Sequence, residues 1–115
     1  MKALAAAGVA IAALVHVQAP APARLQVVAQ EYRFGLSRLH LHAGLAVIEL
    51  DNFGQDPHDL RVQRAGAKHV AGTGIVAPGQ RADLTVRLTP GRYSFWCSLA
   101  NHRQLGMHAE LIVTP

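Results

Sequence analysis

The sequence predicts an all-β sandwich or barrel. Three observations carry that expectation. Short runs of alternating, β-branched and aromatic residues recur at close spacing. Turns rich in Pro, Gly, Asn and Asp separate them. No stretch beyond the N-terminus carries the apolar period of a helix. At 115 residues the chain has the length of one domain, without internal repeats or low-complexity linkers.

The first residues are expected to lie outside that domain. Met1-Lys2 is a short basic start, Ala3 to Val15 is apolar and uncharged, and Ala21-Pro22-Ala23 fits a small-x-small cleavage pattern. This predicts a secretory signal peptide over residues 1–23 and a domain over 24–115. A cut after Ala19 would leave Pro20 at the new start. The apolar run is too short for a spanning helix, and no cysteine follows it to take a lipid. The expectation is a periplasmic or secreted monomer with no stable membrane insertion. Removing Lys2 lowers the formal charge from +4 to +3. The remaining Arg and Lys are scattered and aromatics are few, so nucleic-acid binding has no support. The single cysteine cannot form an internal disulfide, and a thiol in an oxidising compartment needs protection, which a bound metal supplies.

Within the domain, Leu25 to Phe34 reads as a first strand with a bulge near Gln30-Glu31. Gly35 breaks it. Arg38 to His42 alternates, with leucines on one face and His40 and His42 on the other. Leu45 to Asp51 is the next strand. Asn52 to Pro57 is a loop, and His58 to Val62 a short strand after it. Gln63 to Gly74 has no clear period and reads as loop with one weak edge strand. Arg81 to Leu88 alternates strictly, with Ala82, Leu84, Val86 and Leu88 inward. Tyr93 to Cys97 and Ala109 to Val113 are two strands around a final loop.

That final loop carries the chemistry. Cys97-x4-His102-x4-Met107 offers a thiolate, an imidazole and a thioether from one segment. A trigonal copper site takes one thiolate and two imidazoles, with a weak axial thioether. The second imidazole must come from elsewhere. His58 is the best placed, because it follows a Pro-containing turn and begins a strand. Tyr93, Phe95 and Cys97 share one strand face, so the thiol faces an apolar interior. Asp59 and Ser98 each follow a candidate ligand, and a hydrogen bond between them would join the two loops.

The pattern Asn52…Pro57-His58-Asp59, Ala77-Pro78-Gly79, Pro90-Gly91-x-Tyr93-x-Phe95-x-Cys97…His102…Gly106-Met107 resembles the plastocyanin/amicyanin-type cupredoxins over essentially the whole domain. The resemblance implies a Greek-key β-sandwich of seven or eight strands. It implies one type 1 copper ion held by His58, Cys97, His102 and axial Met107. It also implies one-electron transfer, with no enzymatic turnover, to redox partners such as a c-type cytochrome or a copper/haem oxidoreductase. Asp59 stands where many members carry Asn, and the Cys-to-His gap is longer than in plastocyanin-like members. His102, with Leu99 and Leu105 around it, is expected to face outward and meet the partner.

Other readings use the same residues. A copper carrier or resistance protein would employ the same ligands without electron transfer. A cysteine hydrolase needs an activated thiol, but the chain is small and all-β and Cys97 ends a strand with no helix N-terminus to lower its pKa. Structural zinc sites rarely employ methionine. A binuclear copper site needs a second cysteine. His40 and His42 share a strand face and could hold a second metal, but no third ligand is visible, and His108 could compete beside Met107. Trp96, next to Cys97, is a candidate second electron exit.

Overall fold

A computed structural model describes Met1–Pro115. Residues 1–22 form no regular element and are exposed. The rest is a two-sheet sandwich of nine strands: β1 (Ala23–Gln30), β2 (Arg33–Leu36), β3 (His40–His42), β4 (Gly44–Asn52), β5 (Arg61–Arg64), β6 (Ala71–Gly72), β7 (Arg81–Leu88), β8 (Gly91–Trp96) and β9 (His108–Thr114). One helical turn, α1 (His102–Leu105), interrupts the last loop. One sheet has the order β2-β1-β4-β7, the other β3-β9-β8-β5-β6. β1 runs parallel to β4 and β3 parallel to β9; the other pairings are antiparallel.

Alternation builds the core. Leu25, Val27 and Ala29 of β1 and Ala46, Ile48 and Leu50 of β4 point inward and are buried. They meet Leu41 of β3, Val62 of β5, Tyr93 and Phe95 of β8, and Leu111 and Val113 of β9. Burying large side chains such as these stabilises the sandwich by roughly 1.5–3 kcal/mol each. The Tyr93 hydroxyl accepts from the Thr89 backbone N–H at 3.0 Å and donates to the Thr89 carbonyl at 3.1 Å, which locks the corner before β8.

The strand reading of residues 81–88 matches β7 in full. Three expectations need correction. The count is nine, because the two-residue β6 is paired and the expected first strand divides in two. The phase change near Glu31 is a reversal: β1 and β2 form an antiparallel hairpin through Glu31-Tyr32, with Gln30 opposite Arg33. His58 precedes β5 instead of lying in it. It makes an isolated bridge to Val76, donating its N–H to the Val76 carbonyl at 3.1 Å and accepting at 2.7 Å.

Asn52 holds this end of the sandwich. It is 1% exposed. Its Nδ2 donates to the carbonyls of Asp56 (2.8 Å) and Val76 (2.9 Å), and its Oδ1 accepts from Gly54 N–H (2.8 Å). Asn52→Ala leaves all three backbone groups without that partner. An uncompensated buried polar group costs about 1–3 kcal/mol. Urea unfolding of the metal-free protein is therefore expected to show a loss of about 3 kcal/mol; a loss below about 0.5 kcal/mol would contradict this role for Asn52.

Candidate metal centre

Two loops at one end of the sandwich bring the donors together. β8 delivers Cys97 one residue past its end, on the inward parity shared by Tyr93 and Phe95. The chain then turns through α1, and β9 begins after Met107. Cys97 N–H donates to the Met107 carbonyl at 3.1 Å, and Met107 N–H to the His102 carbonyl at 3.0 Å. Gly106 has φ +128°, a conformation side chains rarely adopt, and a Cβ there would come within 2.8 Å of the Tyr32 carbonyl. This position requires glycine.

His58 arrives on the other loop. Its Nδ1 lies 3.3 Å from His102 Nδ1, and Cys97 Sγ lies 3.5 Å from His102 Nδ1. The three donor atoms fall within 4.8 Å of one another. His58, Cys97, His102 and Met107 are 0%, 1%, 8% and 0% exposed. These separations can be tested against a metal. Three donors around one ion at bonds of about 2.0–2.3 Å stand roughly 3.5 Å apart in a trigonal plane. The two distances from His102 Nδ1, 3.3 Å to His58 Nδ1 and 3.5 Å to Cys97 Sγ, match that spacing. A thiolate with two imidazoles and a nearby thioether is the donor set of a type 1 copper centre.

The expected tie between the loops is present. Asp59, 1% exposed, accepts from Ser98 N–H at 2.7 Å and from the Ser98 hydroxyl at 2.5 Å. Arg61 Nη2 donates to the same carboxylate at 3.2 Å. The guanidinium supplies the countercharge that an Asp needs at this buried position and an Asn does not.

One expectation is corrected. His102 does not face outward. It opens α1 with its ring turned in toward His58 and Cys97, and the Tyr32 ring stands over it at 4.9 Å between centroids. The other three residues of the same turn are exposed, Leu105 among them at 51%. His40 and His42 do point outward on β3 and lie outside this cluster, as does exposed His108. Trp96 is half-buried on the opposite face of β8, under the Arg103 guanidinium at 4.6 Å.

The sequence reading missed Glu31 and Tyr32. Glu31 Oε1 accepts the backbone N–H groups of Gln55 (2.7 Å) and Asp56 (2.6 Å) and lies 3.1 Å from His58 Nε2. The Tyr32 hydroxyl donates to Asp56 Oδ2 at 3.0 Å. The broken alternation at Gln30-Glu31 marked a change of direction, but nothing local tied it to a histidine 27 residues away.

The hydrogen bond from the Asp56 backbone N–H, helped by those from the Gln55 N–H and the His58 ring, lowers the Glu31 pKa to about 2 from its ordinary 4.5. A lowered folded-state pKa means that the unfolded chain binds more protons between those values. The stabilisation is therefore full above pH 4.5 and is lost as pH falls toward 2. Metal-free wild type is expected to lose more urea resistance than Glu31→Gln across that interval. Parallel losses would contradict the assignment.

Comparison with known proteins agrees with this geometry. The family model for the cupredoxin-like domain matches residues 3–113. No curated protein matches the chain significantly. Among solved structures, the reduced auracyanin of Roseiflexus castenholzii superposes with a TM-score of 0.69 at 16% identity, covering 84% of this chain and all of that one. Auracyanin A of Chloroflexus aurantiacus, described as a blue copper protein, gives 0.67 at 16% identity, covering 82% of this chain and all of that one. A multicopper oxidase gives 0.61 at 22% identity, covering 80% of this chain and 42% of that one. At these identities the structures establish the shared sandwich. With the family match spanning nearly the whole sequence, the chain belongs to the cupredoxin-like family, whose cofactor is one type 1 copper ion.

Proposed function

We propose that this chain is an exported single-electron carrier in which His58, Cys97 and His102 form the strong ligand plane and Met107 the weak axial contact. The observation that carries the proposal is the convergence of Nδ1, Nδ1 and Sγ in a buried cluster, with His102 Nδ1 3.3 Å from His58 Nδ1 and 3.5 Å from Cys97 Sγ and all three atoms within 4.8 Å of one another. Bound copper supplies a one-electron Cu(II)/Cu(I) couple. The protein's part is to keep the donors still. Asp59 fixes the two ligand loops to each other, Asn52 fixes the His58 loop to the Val76 segment, and Met107 is bonded through its backbone to both neighbouring donors. A fixed donor set needs little rearrangement when the charge changes, and that suits fast transfer.

The burial of all four side chains favours an electron carrier over a carrier of copper. An electron tunnels through a covering layer; a metal ion passed to an acceptor needs ligands that can be reached. The same burial leaves no open position for a substrate, so we propose no catalytic turnover of the kind a multicopper oxidase performs. Export rests on the N-terminal pattern. Residues 1–22 take no part in the sandwich, and a cut after Ala23 removes a single residue of the β1 ladder.

Leu105 is exposed at the ligand end of the sandwich, and Leu99 of the same loop is half-buried. We place the contact for a redox partner, such as a c-type cytochrome or a copper/haem oxidoreductase, on this surface. Small apolar contacts suit brief redox encounters. Leu105→Asp is expected to slow transfer to the partner at least several-fold while leaving the visible spectrum unchanged; an unaltered rate would sink the docking surface.

Adding Cu(II) to the metal-free protein is expected to give an intense visible thiolate-to-copper band that Cys97→Ser abolishes. Burial pushes the Cys97 thiol above its ordinary pKa, so the thiol is protonated at neutral pH and metal binding must release that proton. The apparent Cu(II) affinity is therefore expected to rise about tenfold per pH unit through the neutral range. A colourless wild type, or an affinity independent of pH, would contradict the ligand assignment.

A further inference from the structure

The hairpin turn Glu31-Tyr32 contacts both imidazoles of the cluster, although it lies on neither ligand loop. Glu31 Oε1 sits 3.1 Å from His58 Nε2, and the Tyr32 ring covers that of His102. The opposite nitrogen of His58, Nδ1, points at His102 and toward the shared donor centre. A neutral imidazole carries one proton, on one nitrogen or the other. Which nitrogen keeps a lone pair for a metal is set by the partner of its opposite nitrogen.

We propose that Glu31 is a positioning residue of the metal centre, whose carboxylate holds the His58 proton on Nε2 and so leaves the Nδ1 lone pair directed at Cys97 and His102. The carboxylate is well placed for this. An ionised carboxylate only accepts hydrogen bonds, so the facing Nε2 must be the donor. The carboxylate is itself immobilised by two backbone N–H groups, at 2.7 and 2.6 Å, from the loop that leads into His58. Gly54 leaves the room, since a Cβ at that position would overlap the carboxylate. The Glu31 side chain is 26% exposed and His58 is wholly buried, so the contact closes the solvent side of the ring. His58 is thereby fixed from both sides: by its backbone bridge to Val76 and by a carboxylate on its far nitrogen.

The inference rests on the copper reading for its consequence, but its first test does not need copper. Long-range proton–nitrogen correlation spectra of metal-free protein, at mildly alkaline pH, report the tautomer of each histidine. Wild type is expected to show His58 protonated on Nε2. Glu31→Leu is expected to show a mixed or Nδ1-protonated ring, and to lose about ten- to a hundred-fold in Cu(II) affinity, the range found when a partner of a ligating histidine is removed. An unchanged Nε2-protonated ring in Glu31→Leu, or a wild type protonated on Nδ1, would overturn the proposal. Glu31→Gln guards against loss of fold, because its amide oxygen can still accept the two loop N–H groups. With that oxygen in place as an acceptor for Nε2–H, the His58 ring is expected to stay protonated on Nε2, and a folded Glu31→Gln with an Nδ1-protonated ring would also overturn the proposal. If the tautomer changes as expected but wild type shows no thiolate-to-copper band, the copper reading falls and the positioning role stands.

Discussion

A buried carboxylate makes the donor cluster one object. Asp59 follows His58 on one loop and accepts both the amide and the hydroxyl of Ser98, which follows Cys97 on the other. Without that tie His58 and Cys97 would ride on separate loops, each free to move by the amplitude of its own turn. With it, a shift of one loop must carry the other. The charge left by placing an acid in this position is met by Arg61, from the first residue of β5. The guanidinium is partly exposed and the carboxylate is not, so the pair keeps one partner in water and limits the desolvation cost.

The sandwich supplies the other half of the frame. β4 ends in Asn52, whose amide spans the turn before His58 and the strand-like segment at Val76. β8 runs antiparallel to β9, so Cys97 and Met107 leave adjacent strands at the same end, and Cys97 N–H donates to the Met107 carbonyl. The β1–β2 hairpin then reaches over from the opposite sheet with Glu31 and Tyr32. Four separate segments thus converge, and each is anchored by a bond that is not to a donor atom. The geometry at the donors is therefore a property of the fold.

Much of this was legible in the sequence for a physical reason. Strict alternation in Arg81 to Leu88 has one folded solution, and the parity of Tyr93, Phe95 and Cys97 places the thiol inward whatever the rest of the chain does. Chemistry-bearing residues are few, so one Cys, one internal Met and a spaced His stand out. The Asp59–Ser98 tie was legible because each residue is adjacent to a ligand. What was not legible is long-range. The interval at Glu31 reads equally as a bulge or a reversal, because both interrupt a period of two, and only the pairing of Gln30 with Arg33 distinguishes them. The orientation of His102 depends on a single helical turn, too short to leave a period, and on a tyrosine from another sheet.

On this geometry the protein, rather than the metal, sets the positions of the donors. Crystal structures of the metal-free and copper-loaded protein test it most directly. The separations of His102 Nδ1 from His58 Nδ1, now 3.3 Å, and from Cys97 Sγ, now 3.5 Å, are expected to change by less than about 0.5 Å on loading. A metal-free form in which either histidine swings away, with the cluster assembling only around copper, would contradict it.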